Sequence, residues 1–358
     1  MKKIFSVTNL SITFLILFFT SCRKADSPIA DGAVSTRDIL NSFSQNVAYA
    51  TYNDLHQQAT ILTLKIQLFN QSNSQNDLEA CREQWKKTRS VWEQSEGFLF
   101  GPVTTNDIDP HIDTWPIDFN SLDSVMNSSA IIDANYVNGL EDALHGFHPM
   151  EYLLWGTNGN KIAQDFTSRQ KEYLIALSKN IEDLTGALSA NWTSGTAGSY
   201  FDSFTNAGSS TSIYSSKNAA FNELVLAMAG ICEEVADGKI GEPFVSQNPN
   251  LEESPYAKNS LIDFINNIKS VKNIYDGGYL IKGVSLKNFV QQYNRSLDNV
   301  IDQKINTAIA SLNAITVPFG TAIITQPVQV QQAQQAINEL KDVLEDDLIN
   351  LVNTKIRD

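Results

Sequence analysis

From Thr36 to about Lys355 the apolar residues recur at helical spacing, and no stretch of comparable length alternates as a strand would. The first run, Thr36 to Asn70, carries Ile39, Phe43, Val47, Ala50, Leu55, Ile61, Leu62, Ile66 and Phe69. Gln71-Ser72-Asn73-Ser74 breaks it, and Asp77 to Phe100 follows. Residues 101–119 hold Pro102, Pro110 and Pro116 and cannot form one regular helix. Further helices are predicted to end near Gly156 and to span Ala163–Asn191, Ile213–Ala236, Asn259–Tyr275 and Ser285–Ile315, with a last one from Pro327 to about Lys355. Asp237-Gly238 reads as a stop, and Gly241-Glu242-Pro243 as the start of a loop. The pattern predicts an all-α chain. The Gly/Ser/Thr stretch 193–212 divides it into 36–192 and 213–358, each expected to form an up-and-down bundle subdomain.

The first 35 residues stand outside that pattern. Lys2 and Lys3 precede an apolar run, Ile12 to Phe19, and then Thr20-Ser21-Cys22. This resembles a bacterial lipoprotein signal over 1–21, with Cys22 as the lipidated first residue of the mature protein. Residues 22–35 read as a tether. The implied location is the cell envelope, anchored through lipid to a membrane and facing the periplasm or the cell surface. The whole chain has 26 basic and 40 acidic residues, net −14, and losing Lys2 and Lys3 makes this −16. No basic run interrupts the acidity, which argues against nucleic-acid binding. Besides Cys22 only Cys81 and Cys232 occur. Both lie in helical patterns far apart and read as small buried apolar residues rather than a disulfide.

Chemistry concentrates in two places. In Gly146-Phe147-His148-Pro149-Met150-Glu151, His148 and Glu151 sit three apart, which on a helix puts an imidazole and a carboxylate on one face. That pair is half of a site for a first-row metal. Pro149 places His148 near an N-cap and Glu151 in the first turn. His145 extends the spacing one turn back if the helix runs through the proline. The second place is residues 85–118. Trp85, Arg89, Trp92, Glu93 and Glu96 are read as lying on one helix, with Arg89 and Glu96 on a face between two tryptophans. A buried charge there must be paired. The following loop holds Asp107, Asp109, His111, Asp113, Trp115 and Asp118. Some of these aspartates are expected to serve as Asx-turns and caps.

Several ordered segments resemble the imelysin family, named for an insulin-cleaving membrane protease and including iron-regulated proteins. They are Trp92-x-x-x-Glu96-Gly97-Phe98-Leu99-Phe100-Gly101-Pro102, Ile108-Asp109 through Trp115-Pro116-Ile117-Asp118, and Gly146-x-His148-x-x-Glu151. In the second half they are Asp237-Gly238-Lys239-Ile240-Gly241-Glu242-Pro243, Ser254-Pro255-Tyr256, and Leu261 through Asn267-Ile268 and Tyr275. The resemblance covers nearly all of the mature chain. It implies two helical bundles with a pocket near their junction, export, and a link to iron uptake.

Two functions follow from these residues. The first is a lipid-anchored protein that binds iron, zinc or a metal-containing ligand, working with other envelope iron-uptake proteins. His148, Glu151, Glu96 and Asp113 would be ligands. Arg89, Trp92, Asp109, His111 and Trp115 would line the pocket, with Arg89 holding an anion or orienting Glu96. The second is a metal-dependent peptidase. It needs a further imidazole, from His111 or His145, and a general base, Glu96 or Glu93. The zincin pattern His-Glu-x-x-His and the Gly-x-Ser-x-Gly elbow are both absent.

Overall fold

The computed structural model describes residues 34–196 and 198–357; the signal segment, Cys22 and the tether up to residue 33 lie outside the described residues. Every regular element among the described residues is helical. The first run is helical from Thr36, turns π-helical over Phe43–Tyr49, and continues as α1 (Ala50–Ser72). Asn73, at φ 49°, ends it, a left-handed cap that asparagine tolerates. Ser74 opens α2 (Gln75–Glu93) by accepting the Asp77 N–H. α2 stops at Glu93, short of Phe100. The Ser95 hydroxyl bonds the Trp92 carbonyl at 2.6 Å and competes with helix continuation. Glu96 therefore does not share a helix with Arg89; it begins a separate 3-10 turn, Glu96–Phe98.

α3 (Ile108–Asp113) and α4 (Phe147–Trp155) are short, and Gly156 closes α4 at φ 69°. α5 (Ser168–Asn191) starts on a Thr167–Gln170 capping box. α6 (Lys217–Glu233) does not stop at Asp237-Gly238. It widens into a π-helical stretch, Glu234–Gly241, and returns to α-helix over Glu242–Ser246. A wider turn makes room for the Pro243 ring, which would otherwise strike the carbonyl four residues back. Gln334 donates to the Ala236 carbonyl at 2.9 Å. α7 (Ser260–Asp276) ends at Gly277, φ 78°. The single helix expected over Ser285–Ile315 is two, Leu286–Tyr293 and α8 (Arg295–Asn313). Asn294 leaves helical geometry between them and caps the Leu297 N–H at 3.1 Å. α9 (Pro327–Asp342) begins the last run.

α1 packs against α2 and α5, and α9 packs against α6 and α8. α7 touches α2 on one side and α6 and α8 on the other. The protein is thus an all-α bundle fold with α2 and α7 face to face near its middle. The 193–212 stretch contributes a short helix, Tyr200–Thr205, whose Phe204 stacks with Phe100 and packs on Trp192. Cys81 and Cys232 are buried free thiols. No helix among the described residues is long and apolar enough to cross a membrane.

Candidate metal centre

The centre is built on one backbone contact. Gly146 caps α4 at φ 75° and ψ −150°, where only glycine is comfortable. A β-carbon there would lie 1.9 Å from the Ile112 carbonyl oxygen. The backbone of α3 therefore rests directly on the start of α4. His148 is the second residue of α4 and Pro149 the third. Pro149 is accommodated because N–H groups in the first turn have no intrahelical acceptor. Glu151 falls in the second turn rather than in the first turn that Pro149 predicts. His145 precedes the helix and points to another cluster.

His148 is fully buried. Its Nε2 lies 3.1 Å from Asp113 Oδ1 and 3.8 Å from Glu253 Oε1, and its Nδ1 lies 3.9 Å from Glu151 Oε2. Neither ring nitrogen has a hydrogen bond aligned to it, and Glu151 Oε2 has none either. Glu151 Oε1 accepts the backbone N–H groups of Tyr256 and Ala257 at 2.9 and 2.6 Å. Glu151 is thus locked behind the ring, on the side away from Asp113 and Glu253. Trp115 stacks obliquely on His148 with centroids 5.0 Å apart.

Arg89 is buried against Trp85 and Phe147. Its Nη2 meets Glu93 Oε1 and Glu253 Oε1, each at 2.7 Å, and its Nη1 pairs with Asp113 Oδ1. Asp113 Oδ2 accepts the Trp92 Nε1 proton at 2.7 Å. Arg89 is therefore taken up by carboxylates of its own chain and orients Asp113 rather than Glu96. Glu96 is held by Lys239 at 3.0 Å and Asn267 at 2.6 Å, and Asn267 also donates to Glu93 at 2.6 Å. Asp263 accepts from Ser254 and Asn259 at 2.6 and 2.7 Å. A cavity of about 280 Å3 adjoins the cluster, lined by Glu96, Asp109, Asp113, Trp115, Lys239 and Glu253 among others.

The charges do not balance. Glu93, Glu96, Asp113, Glu151, Glu253 and Asp263 are all buried carboxylates, against two obligate cations, Arg89 and Lys239. Two like charges ~4 Å apart cost roughly 4 kcal/mol at the effective dielectric of such a site. The metal-free protein relieves this by holding protons. Burial pushes Asp263 up to about 8 and, with Asp113 nearby, Asp109 up to about 7; burial and Glu93 raise Glu96 well above the usual range. Burial and Arg89 oppose protonation of His148, but Asp113 and Glu151 outweigh them and lift it to about 9. Only Asp113 is held low, by Arg89 and His148 against its burial. A group raised in the folded state contributes stability that is complete below its unfolded value and lost as pH climbs through its folded value. The melting temperature of the metal-free chain should therefore fall between about pH 5 and about pH 8, as Asp109, Asp263 and Glu96 lose protons. A melting temperature that rises over this range would contradict the assignment.

Two sets of donors lie within 4.8 Å of one another here: Asp113, His148 and Glu253, and next to them Glu93, Glu96 and Asp113. The structure brings His148, Glu151, Asp113, Glu96, Arg89, Trp92, Asp109 and Trp115 together. His111 it places elsewhere, with Asp142 and His145. Asp118 is an N-cap, accepting from Asn120 and Ser121. Sequence reasoning missed Glu253, Lys239, Asp263 and Asn267. Three of them fall inside the second-half motifs noted above, and Glu253 immediately precedes Ser254-Pro255-Tyr256, so the motifs were the available signal.

The chain and its fold resemble known proteins. The imelysin family profile matches residues 48–346. Iron-regulated protein A of Synechococcus elongatus is 31% identical over 325 residues, covering 89% of this chain and 88% of that protein. A crystal structure named for an iron-regulated protein A precursor from Parabacteroides distasonis superposes with TM-score 0.80 at 28% identity, covering 90% of this chain and 95% of that one. An imelysin-like protein from Psychrobacter arcticum shares the fold, with TM-score 0.71 at 17% identity over 90% of this chain and 97% of that one.

Proposed function

Because the chain belongs to the imelysin family, we propose that it is an exported, lipid-anchored protein that binds a metal ion or a metal-containing ligand at the His148 centre and serves iron uptake. One observation carries the reading. His148 is fully buried, neither of its ring nitrogens has an aligned hydrogen bond, and it faces Asp113 and Glu253 in a pocket with excess carboxylate. Buried polar atoms with poorly aligned bonds are costly, and a cation that displaced the ring proton would satisfy them together with the excess carboxylate. His148 Nε2, Asp113 and Glu253 would hold the metal. Glu151 would orient the ring through Nδ1, as carboxylates commonly do behind ligating histidines. Arg89 and Lys239 would hold the carboxylates together when no metal is bound. A mixed nitrogen and oxygen set accepts iron or zinc; the relatives named for iron regulation favour iron.

Calorimetric titration of chelator-treated protein with ferrous, ferric and zinc ions tests this. His148→Ala should weaken one binding step by about 100-fold or more, which is ~2.7 kcal/mol, in protein that remains folded. Equal affinity in both proteins, or a lower melting point with binding unchanged, makes His148 a structural residue. The peptidase alternative needs a second imidazole beside His148. His111 and His145 group with Asp142, and His56 lies 3.1 Å from the Glu182 carbonyl, so no cleavage of casein is expected with any of these metals. Cleavage that requires metal and is lost in Glu151→Gln would revive that reading.

Anchoring is a separate part of the proposal. Cys22 follows the signal-like segment, and several acyl chains hold a protein on a membrane where one does so only marginally. Cys22→Ser should shift the protein from the membrane fraction to the soluble envelope fraction. Unchanged partitioning, with no lipid mass on the wild type, would mean another anchor.

A further inference from the structure

The contact of Gly146 on Ile112 brings a second pair of residues together, one step outside the first. His111 stands beside Ile112, His145 stands beside Gly146, and their rings meet with centroids 4.5 Å apart, tilted by 46°. The 3-10 turn Asp142–Leu144 adds Asp142, closed by the His145 N–H on the Asp142 carbonyl at 3.0 Å. One donor atom from each of His111, Asp142 and His145 lies within 4.8 Å of the others. We propose that these three residues form a separate site for a divalent transition metal of the zinc class, independent of the His148 centre.

Two observations beyond the clustering point to a ligand. His145 is 0% exposed, yet neither of its ring nitrogens has a hydrogen bond aligned to it. The carbonyls of Val137 and Leu140 lie close enough to favour a ring proton, which would fix the tautomer and free the other nitrogen for a metal. His111 Nδ1 is likewise buried without a hydrogen bond, 3.5 Å from Asp142 Oδ1. Two imidazoles with unsatisfied buried nitrogens, beside a carboxylate open to solvent, would be completed by a cation that accepts their lone pairs. The site is also accessible. The Asp142 side chain is 45% exposed and that of His111 21%, so an ion can enter from solvent and keep water at its open positions. Two nitrogens and one oxygen suit zinc, cobalt, nickel or copper better than calcium or magnesium.

The test uses the His148→Ala chain, which removes the other centre, with zinc or cobalt salt as the probe. That chain should bind one equivalent. Adding His111→Asn should weaken binding by about 100-fold, and Asp142→Asn by about tenfold. Both positions are partly exposed, so melting curves are expected to stay near that of the parent. Zinc-edge absorption fine structure on the parent should report two imidazole ligands. Zinc binding that is absent, or equal with and without His111→Asn and Asp142→Asn, overturns the proposal and leaves a stacked histidine pair only. So does a spectrum with fewer than two imidazoles. Because the His148 centre is absent from this background, failure here leaves the reading of that centre untouched. Loss of binding in His148→Ala alone, with His111→Asn silent, would uphold that centre and reject this one.

Discussion

Gly146→Ala should destabilise the protein by about 4 kcal/mol or more, among the largest single-residue effects in this fold. Two costs combine. At φ 75° and ψ −150° an alanine is strained, by roughly 1–3 kcal/mol. Its β-carbon would also stand 1.9 Å from the Ile112 oxygen and 2.4 Å from the Ile112 carbonyl carbon. These are backbone atoms, so no rotamer change relieves the clash, and α3 must lift off α4. Asp113 and His111 would move with it, so metal binding should fall at both clusters in whatever remains folded. Urea unfolding gives the measurement, as a lowered midpoint at unchanged slope. Gly230→Ala is the control. A β-carbon at Gly230 meets nothing within 4 Å on its exposed helix face, and the change should stabilise by roughly 0.5–1 kcal/mol. A loss below about 1 kcal/mol for Gly146→Ala, against the strain expected there, would mean that the α3–α4 contact is not fixed.

Arg89→Met should cost a comparable ~3–5 kcal/mol, the usual effect of removing one partner from a buried ion pair. Arg89 touches three carboxylates at once, Glu93, Asp113 and Glu253. The sign of the pH dependence identifies the cause. In wild type, Asp113 is held well below 3.8, so its contribution is present above that value and lost only as pH falls through the folded one. Without the guanidinium the three carboxylates repel, and each proton they take up relieves the variant but not the wild type. The gap in melting temperature should be widest near pH 8 and narrower near pH 5. A gap that does not change with pH would assign the loss to packing against Trp85 and Phe147. Arg89→Lys should rescue little, because one ammonium cannot reproduce the planar fork that reaches three carboxylates.

Much of this protein was written locally. Helical period, the stops at Asn73, Gly156 and Gly277, and the all-α class follow from short-range sequence, because backbone hydrogen bonding and side-chain spacing in a helix are settled within a few residues. Boundaries failed where a local bond or a backbone irregularity overrode the period. Ser95 ended α2 before Glu96, Asn294 split a helix in two, and a π-helical stretch carried α6 past Gly238. The motif around His148 marked the right place, and Gly146 in it is explained only by a contact with Ile112, 34 positions earlier in the chain. Which partners His148 has was decided by tertiary structure alone. Glu253 is more than 90 residues from it in sequence and is held in turn by Lys239; it reaches His148 because α2, α7 and the widened end of α6 pack around one buried charge, Arg89. Sequence spacing joined His145 to His148, whereas the fold turned it toward His111 and Asp142, because α4 begins only after it. Charge balance, finally, is a property of what is buried together, and no local pattern records that six carboxylates spread over residues 93–263 share one interior with two obligate cations.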